Sequence, residues 1–464
     1  MTKAVLLCLA AVSLAGASLP LESPLNLWLY HSEATGLLLP GELPNTHTVT
    51  VEPGSRSMWL WQLLQDRSTP PSTHSGIIGW QASATGQAES NSEFVSRGGL
   101  TFEVFSKPLS WFSISQRTSL WTGSDGNPPS GFAPFHFGLE HGRHLYIDWG
   151  FIQAETGPLK AAMGRMPVRW GPGRFTQLMI SAEAPAMDMV KMNLQLGEKV
   201  RFTGFTSTIN SDSSTWLSAH RLDIMPYEKL RIGLSESILY TADGIDLAYA
   251  NLFIPWYPVQ WNERVDDNAF MCVDATWQPL HGLAVYGEFL IDDIQYENTN
   301  DVPNKLGCTI GADFFAPGCG IGAVAEYTAV QRYVYSQRKI NNFYMHDGRI
   351  IGSQLGPDAD RVTGSVSYIG LNSITAQLKG SYTRHGEGSV YEGWPDSVQA
   401  EGAFPSGVVE STTELELDLG WYPENWLELR SSGGVSFTDN TGNHSGVKTD
   451  NSWISVELSV SRGN

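Results

Sequence analysis

Beyond its N-terminus the sequence contains no apolar run close to the ~18 consecutive residues that a membrane-spanning helix needs, so any passage through a bilayer must be made by strands. Cysteine is scarce, with only Cys8, Cys272, Cys308 and Cys319. Cys8 lies in the N-terminal apolar run, and the odd number downstream leaves at least one thiol unpaired, which excludes a disulfide scaffold. Charged residues make up 17% of the chain, and the positive ones are the fewer: 29 Lys and Arg against 48 Asp and Glu, a formal net charge of −19. That balance argues against nucleic acid as a partner and against a basic helix on a membrane surface. Enzyme signatures are missing as well. There is no Gly-x-Ser-x-Gly elbow or phosphate loop, and His141 and His144 have metal-like spacing but no third ligand nearby. The chain is therefore read as a non-enzyme without metal or cofactor.

What the sequence does have is glycine (47), tryptophan (16) and tyrosine (16), a composition that suits a large β protein with aromatic belts. The opening "MTKAVLLCLAAVSLAGASLP" has one lysine, an apolar run and the small-residue pattern Ala15-Gly16-Ala17, the layout of a secretory signal peptide over residues 1–17. Residues 18–90 differ in character from the remainder of the chain. They hold Pro-, Ser- and Thr-rich stretches around "SRSMWLWQLLQD" (Ser55 to Asp66), which can form a short capped helix. This region is expected to be a small, partly helical periplasmic or plug region, with a disordered leader as the alternative.

From residue 91 to 464 a different pattern recurs. In "TELELDLGWYPENWLELRSSGGVSF" (Thr413 to Phe437), Leu415, Leu417, Leu419 and Trp421 alternate with Glu414, Glu416 and Asp418, and the pattern resumes after a turn at Pro423. Period-2 alternation marks a strand with two unlike faces. A soluble sandwich would show the same alternation. The connections separate the two cases: tight turns at Pro226 and Pro279 alternate with long polar loops such as Ser336 to Asp360 and His385 to Ser411. That asymmetry belongs to outer-membrane barrels. The expected fold is all-β, a transmembrane antiparallel barrel of about 18 strands, with 16 as the alternative. Its apolar side faces outer-membrane lipid and its acidic side faces the lumen. By parity Asp148, Arg221, Asp223, Glu288, Asp292, Glu416, Asp418, Glu428 and Arg430 line that lumen. Glu236 shares the parity of Leu234 and Ile238, so it points at lipid unless a bulge at Gly233 or Ser235 shifts the register.

Two loops combine basic and aromatic residues: Arg165, Arg169, Trp170 and Arg174 in one, and Trp256, Tyr257 and Trp261 in the other. Guanidinium forks bind carboxylates, and aromatic faces stack on sugar rings, which makes these residues candidates for binding polysaccharide. The alternatives are structural duty for the first loop and an aromatic girdle for the second.

"RMPVRWGPGRFTQLMISAEAPAMDM", "HRLDIMPYEKLRIGLSESILY" followed by "NLFIPWYP", and "VYGEFLIDDIQ" resemble, in order and character, the outer-membrane capsule-assembly barrels of the Wzi type. The resemblance is best over Gly164 to Asp313. It implies a large barrel with a helical periplasmic part, a largely occluded lumen, and attachment or organisation of capsular polysaccharide at the bacterial surface. It marks Arg165, Arg169, Trp170, Ser181, Arg221, Glu236, Glu288, Asp292 and Asp293 as family-like positions. The resulting expectation is a monomeric, non-enzymatic outer-membrane protein that binds surface polysaccharide through its outer loops, where many weak contacts can hold a long polymer. The competing reading is a porin for small, preferentially cationic solutes.

Overall fold

The structure is a computed structural model that describes residues 76–90, 94–125, 137–139, 143–210, 214–263, 267–280, 282–293, 303–316, 319–338, 342–369, 374–393, 402–424 and 426–463. The expected signal peptide and the Ser55 to Asp66 helix lie outside the described residues. Eighteen strands form the wall. They are β1 (Gly76–Glu89), β2 (Val95–Leu109), β3 (Phe112–Gly123), β4 (Arg143–Thr156), β5 (Leu159–Met166), β6 (Met187–Leu196), β7 (Val200–Asn210), β8 (Thr215–Tyr227) and β9 (Leu230–Thr241). The second half comprises β10 (Asn268–Leu280), β11 (Leu283–Asp293), β12 (Lys305–Ala316), β13 (Ile321–Val330), β14 (Ala359–Ile369), β15 (Ile374–His385), β16 (Glu410–Glu424), β17 (Leu427–Asp439) and β18 (Lys448–Gly463). Each strand pairs antiparallel with the next, and β1 pairs with β18 from Gly79↔Gly463 to Glu89↔Trp453. This closes the sheet and leaves no open edge, the condition for strands to span hydrocarbon. A short strand, Phe137–Leu139, adds to β4, and Met345–His346 pairs with Arg349–Ile350 as a small separate hairpin.

The barrel begins earlier than residue 91. β1 falls inside the stretch that the sequence assigns to the N-terminal region. Its outward positions Ala82, Ala84, Gly86 and Ala88 face Val460, Leu458, Val456 and Ile454 of β18. Side chains that small give little hydrophobic alternation, so the strand does not announce itself.

Short turns follow every even-numbered strand except the last, and the long connections all follow odd-numbered strands, with β7–β8 as the one odd-numbered connection that is equally short. In the β6–β7 turn Gly197 has φ +67°, which glycine adopts without the steric cost of a Cβ. Long loops mark the extracellular end of such barrels.

The burial pattern is the reverse of a soluble protein's. Leu415, Leu417, Leu419 and Trp421 of β16 are exposed, as are Ile454, Val456 and Leu458 of β18, while Asp223, Asp274, Glu288, Asp313 and Glu326 are buried. Apolar outside and ionic inside is the arrangement that lipid imposes.

Candidate functional site

The interior is filled on one side by two long loops that fold inward instead of standing out in solvent. The first, residues 167–186 between β5 and β6, buries Val168, Trp170, Leu178, Met179 and Ile180. The second, residues 331–358 between β13 and β14, buries Val334, Tyr335, Tyr344, Ile351 and Leu355. Together they form a single apolar cluster with the inner faces of β5 to β11, β13 and β14, including Met187, Phe205, Leu217, Phe270 and Leu290. The Tyr335 and Tyr344 rings stack at 5.9 Å, and Phe270 packs against Tyr344 at 4.2 Å.

Loop backbone buried away from water must find partners, and here the charged lumen wall supplies them. Glu288 on β11 accepts the N–H groups of Leu178 and Met179, each at 3.1 Å. Glu326 on β13 accepts from Arg174 N at 2.6 Å and from Phe175 N, and it also accepts the Tyr286 hydroxyl at 2.8 Å. The Arg174 guanidinium lies 2.8 Å from Asp313 and 5.3 Å from the centre of the Tyr286 ring. Asp292 accepts Tyr335 N at 2.7 Å and pairs with buried Lys305 at 2.6 Å. The loops also hold each other: Tyr335 donates to Leu178 O, Tyr344 donates to Met179 O, and Ser181 N donates to Ile351 O. Gly171 passes so close that a Cβ there would lie 2.6 Å from Glu288 Oε2.

The other expected lumen residues lie on the inner wall, most of them in ion pairs. Arg221 lies 2.5 Å from Asp274 and 2.9 Å from Asp223, which also receives Arg201 and Arg231. Asp148 accepts from Ser119 and faces Arg117 at 3.8 Å. Lys379 pairs with Glu416, and Arg430 pairs with Glu428 at 3.0 Å. Asp418, half-buried, sits opposite Gln377 and Ser432. Asp293 ends β11, also half-buried.

At the extracellular mouth further loops knit onto these. Asp358 accepts Gly388 N, Ser406 N and the Ser406 hydroxyl. Arg332 forks onto Glu392 at 2.6 and 2.9 Å, and that carboxylate raises its pKa further. Asn443 donates to the carbonyls of His385 and Val408. Among its described residues, this lid exposes the aromatic rings of Tyr391 and Phe404.

On the outer wall the loop after β9 lies flat against the strands. It carries α1 (Leu247–Ala250) and α2 (Trp256–Glu263). Glu236 does point outward, opposite His220, in a register that runs unbroken from Ile232 to Leu239. It is nevertheless buried, because it caps the start of α2. Its carboxylate accepts Trp256 N at 3.0 Å and Tyr257 N at 2.7 Å, and His220 Nε2 lies 3.2 Å away.

The residues expected to bind polysaccharide therefore separate. Trp170 is buried against Phe205 at 5.5 Å, and Arg174 is mostly buried in its ion pair with Asp313. Trp256 is wholly buried, its ring 4.2 Å from His220, and Tyr257 is half-buried. Arg165 pairs with Asp188 at 2.7 Å in a half-exposed position, Arg169 folds back onto Gly173 O, and Trp261 is exposed on the outer-wall flap. No single surface unites these residues. Sequence reasoning missed Lys305, Asp313, Glu326, Tyr335 and Tyr344. The strand parity of Asp313 and Glu326 marks them as inward-facing, but nothing in the sequence of the two tyrosines shows that their loop turns inward.

No curated protein sequence is significantly similar to the chain. Among solved structures it is similar to Wzi from Escherichia coli, described as a carbohydrate-binding outer-membrane β-barrel involved in group 1 capsule assembly. The TM-score is 0.63 at 14% identity, over 96% of this chain and 99% of that one. It is less similar to two Pseudomonas aeruginosa proteins. The outer membrane protein OpdK has a TM-score of 0.51 at 8% identity, over 84% of this chain and 99% of that one. OccD3 (OpdP) has a TM-score of 0.50 at 9% identity, over 85% of this chain and 93% of that one. At such identities the likeness is one of fold. The family model for capsule assembly protein Wzi matches residues 80–452, which span the described barrel from β1 to the start of β18 and leave out the first residues of β1 and most of β18, and by that match the chain is a bacterial outer-membrane barrel that belongs to the Wzi capsule-assembly family.

Proposed function

We propose that this barrel binds and organises capsular polysaccharide at the cell surface through its extracellular lid, without catalysis and without acting as a porin. One observation carries the reading. Two loops are latched to carboxylates of the lumen wall and share one apolar core with it, so the interior is spent on fixing the lid in place. A pore would keep that side of the lumen polar and wet. The Escherichia coli relative is described as carbohydrate-binding, in keeping with the same use here. On the lid, the exposed rings of Tyr391 and Phe404 offer flat apolar faces of the kind on which pyranose rings stack, and these replace Trp170 and Trp256 as the candidate contacts.

The test is binding of purified protein to an array of bacterial surface glycans, together with planar-bilayer recording. Binding and an electrically silent barrel are expected. Tyr391→Ala removes a contact worth ~1 kcal/mol, about fivefold in affinity. A steady open-channel current with no glycan bound by the intact protein overturns the proposal in favour of a porin.

A further inference from the structure

The flap over the outer wall displays apolar side chains on its outer side, as the wall does. Its inner side packs Tyr249 and Trp256 onto Ile238 and Tyr240 of the wall beside the Glu236–His220 contact, and its outer side exposes Ile245, Leu247, Phe253 and Trp261, with the charged Asp243 exposed near its start. Water would make that outer side unfavourable, since large apolar side chains are displayed although the flap already buries an apolar cluster beneath it. Its position along the strands is informative too. Glu236 lies six residues above the β8–β9 turn, counted from Leu230. At ~3.4 Å per residue and a tilt of ~40°, that is about 16 Å up a band roughly 25 Å tall. Farther down, Phe253 stacks on Phe202 at 5.0 Å, and Phe202 is only two residues past Val200, the first residue of β7. Leu252 fits against Gly204, where a Cβ would come within 2.8 Å of it. The exposed side of the flap continues into the exposed apolar wall at Leu234, Val273 and Phe289.

We infer that residues 242–263 form a membrane-embedded flap that replaces the strands as the lipid-facing surface over β7 to β10, with the acyl chains of the outer membrane as its occupant. Backbone at that depth is tolerated only when its polar groups are satisfied within the protein, and the flap meets this condition at its vulnerable points. Trp256 N and Tyr257 N donate to Glu236, Ala248 N donates to Asp246, Phe253 N donates to Asn251 Oδ1, and the Trp256 indole donates to Asn251 O. The outward-pointing Glu236, unfavourable at a bare lipid face, is thereby the anchor of the flap.

The experiment places nitroxide labels at Leu247→Cys and Phe253→Cys, both in a Cys308→Ser, Cys319→Ser background, with the protein in lipid vesicles. Accessibility is compared for oxygen, which concentrates in hydrocarbon, and for a neutral water-soluble nickel chelate. Leu417→Cys on the wall and Tyr391→Cys on the lid serve as references, and heat-modifiable gel mobility verifies folding of each variant. Both flap labels are expected to match Leu417, with oxygen the dominant collider. A match to Tyr391 overturns the inference by placing the flap in water. Protection from both colliders together with crosslinked dimers also overturns it, by making a second copy the occupant of this face.

Discussion

Glu288 is where the lumen wall grips the first inward loop, and its removal tests whether that grip is local. In Glu288→Ala the N–H groups of Leu178 and Met179 lose their acceptor. Stranding a buried donor costs ~1–3 kcal/mol, hence about 2–6 kcal/mol for the two. On the other side, burial of Leu178, Met179 and Ile180 contributes ~1.5–3 kcal/mol each, and Glu326 and Tyr335 hold neighbouring points of the loop. The loop is therefore expected to stay docked while its local opening becomes easier. A net change of ~2 kcal/mol corresponds to about a 30-fold faster exchange of the two amides. Hydrogen exchange with mass spectrometry on peptides covering residues 175–182 reads this directly, and Glu288→Gln, which keeps one acceptor oxygen, should show a smaller acceleration. Bilayer recordings should remain silent for both variants. If the loop peptide exchanges as in the unaltered protein while peptides of β11 accelerate, the carboxylate supports the strand rather than the loop, and the reasoning fails.

Arg174→Ala takes the guanidinium away from buried Asp313. Breaking one partner of a buried pair costs ~3–5 kcal/mol, which should appear as a lower urea midpoint in vesicles, partly restored by adding Asp313→Asn; an unchanged midpoint would show that the pair is idle. Leu417→Arg puts a charge on the exposed face of β16 and should cost ~2–4 kcal/mol at the bilayer midplane. Glu416→Gln, one residue away on the opposite face and paired with Lys379, should cost under ~1 kcal/mol. Equal effects from the two substitutions would contradict the assignment of faces.

The wall was largely legible because lipid enforces a strict rule: an outward position is apolar or it is covered. Leu415 to Trp421 follow that rule residue by residue, and the alternation of tight turns and long loops supplied the rest of the architecture. β1 escaped because alanine and glycine satisfy lipid without producing a visible period. The inward loops were illegible for a different reason. Arg174 and Trp170 have the composition of a sugar site, yet the same residue types serve an internal ion pair and a ring contact, and only tertiary placement separates the two uses. Glu236 was the residue whose parity the sequence marked as disagreeing with its chemistry. Its register held, and the disagreement pointed to the flap that covers it.

The seam between β1 and β18 joins residues as distant in the chain as Trp80 and Arg462. Bringing together ends roughly 380 residues apart carries an entropic penalty of about 5 kcal/mol, and until that step is taken every intermediate has two raw flanks able to recruit strands from other molecules. Maturation is therefore all or nothing: a chain that lost its last strand would not be a slightly weaker cylinder but a curled ribbon prone to polymerise.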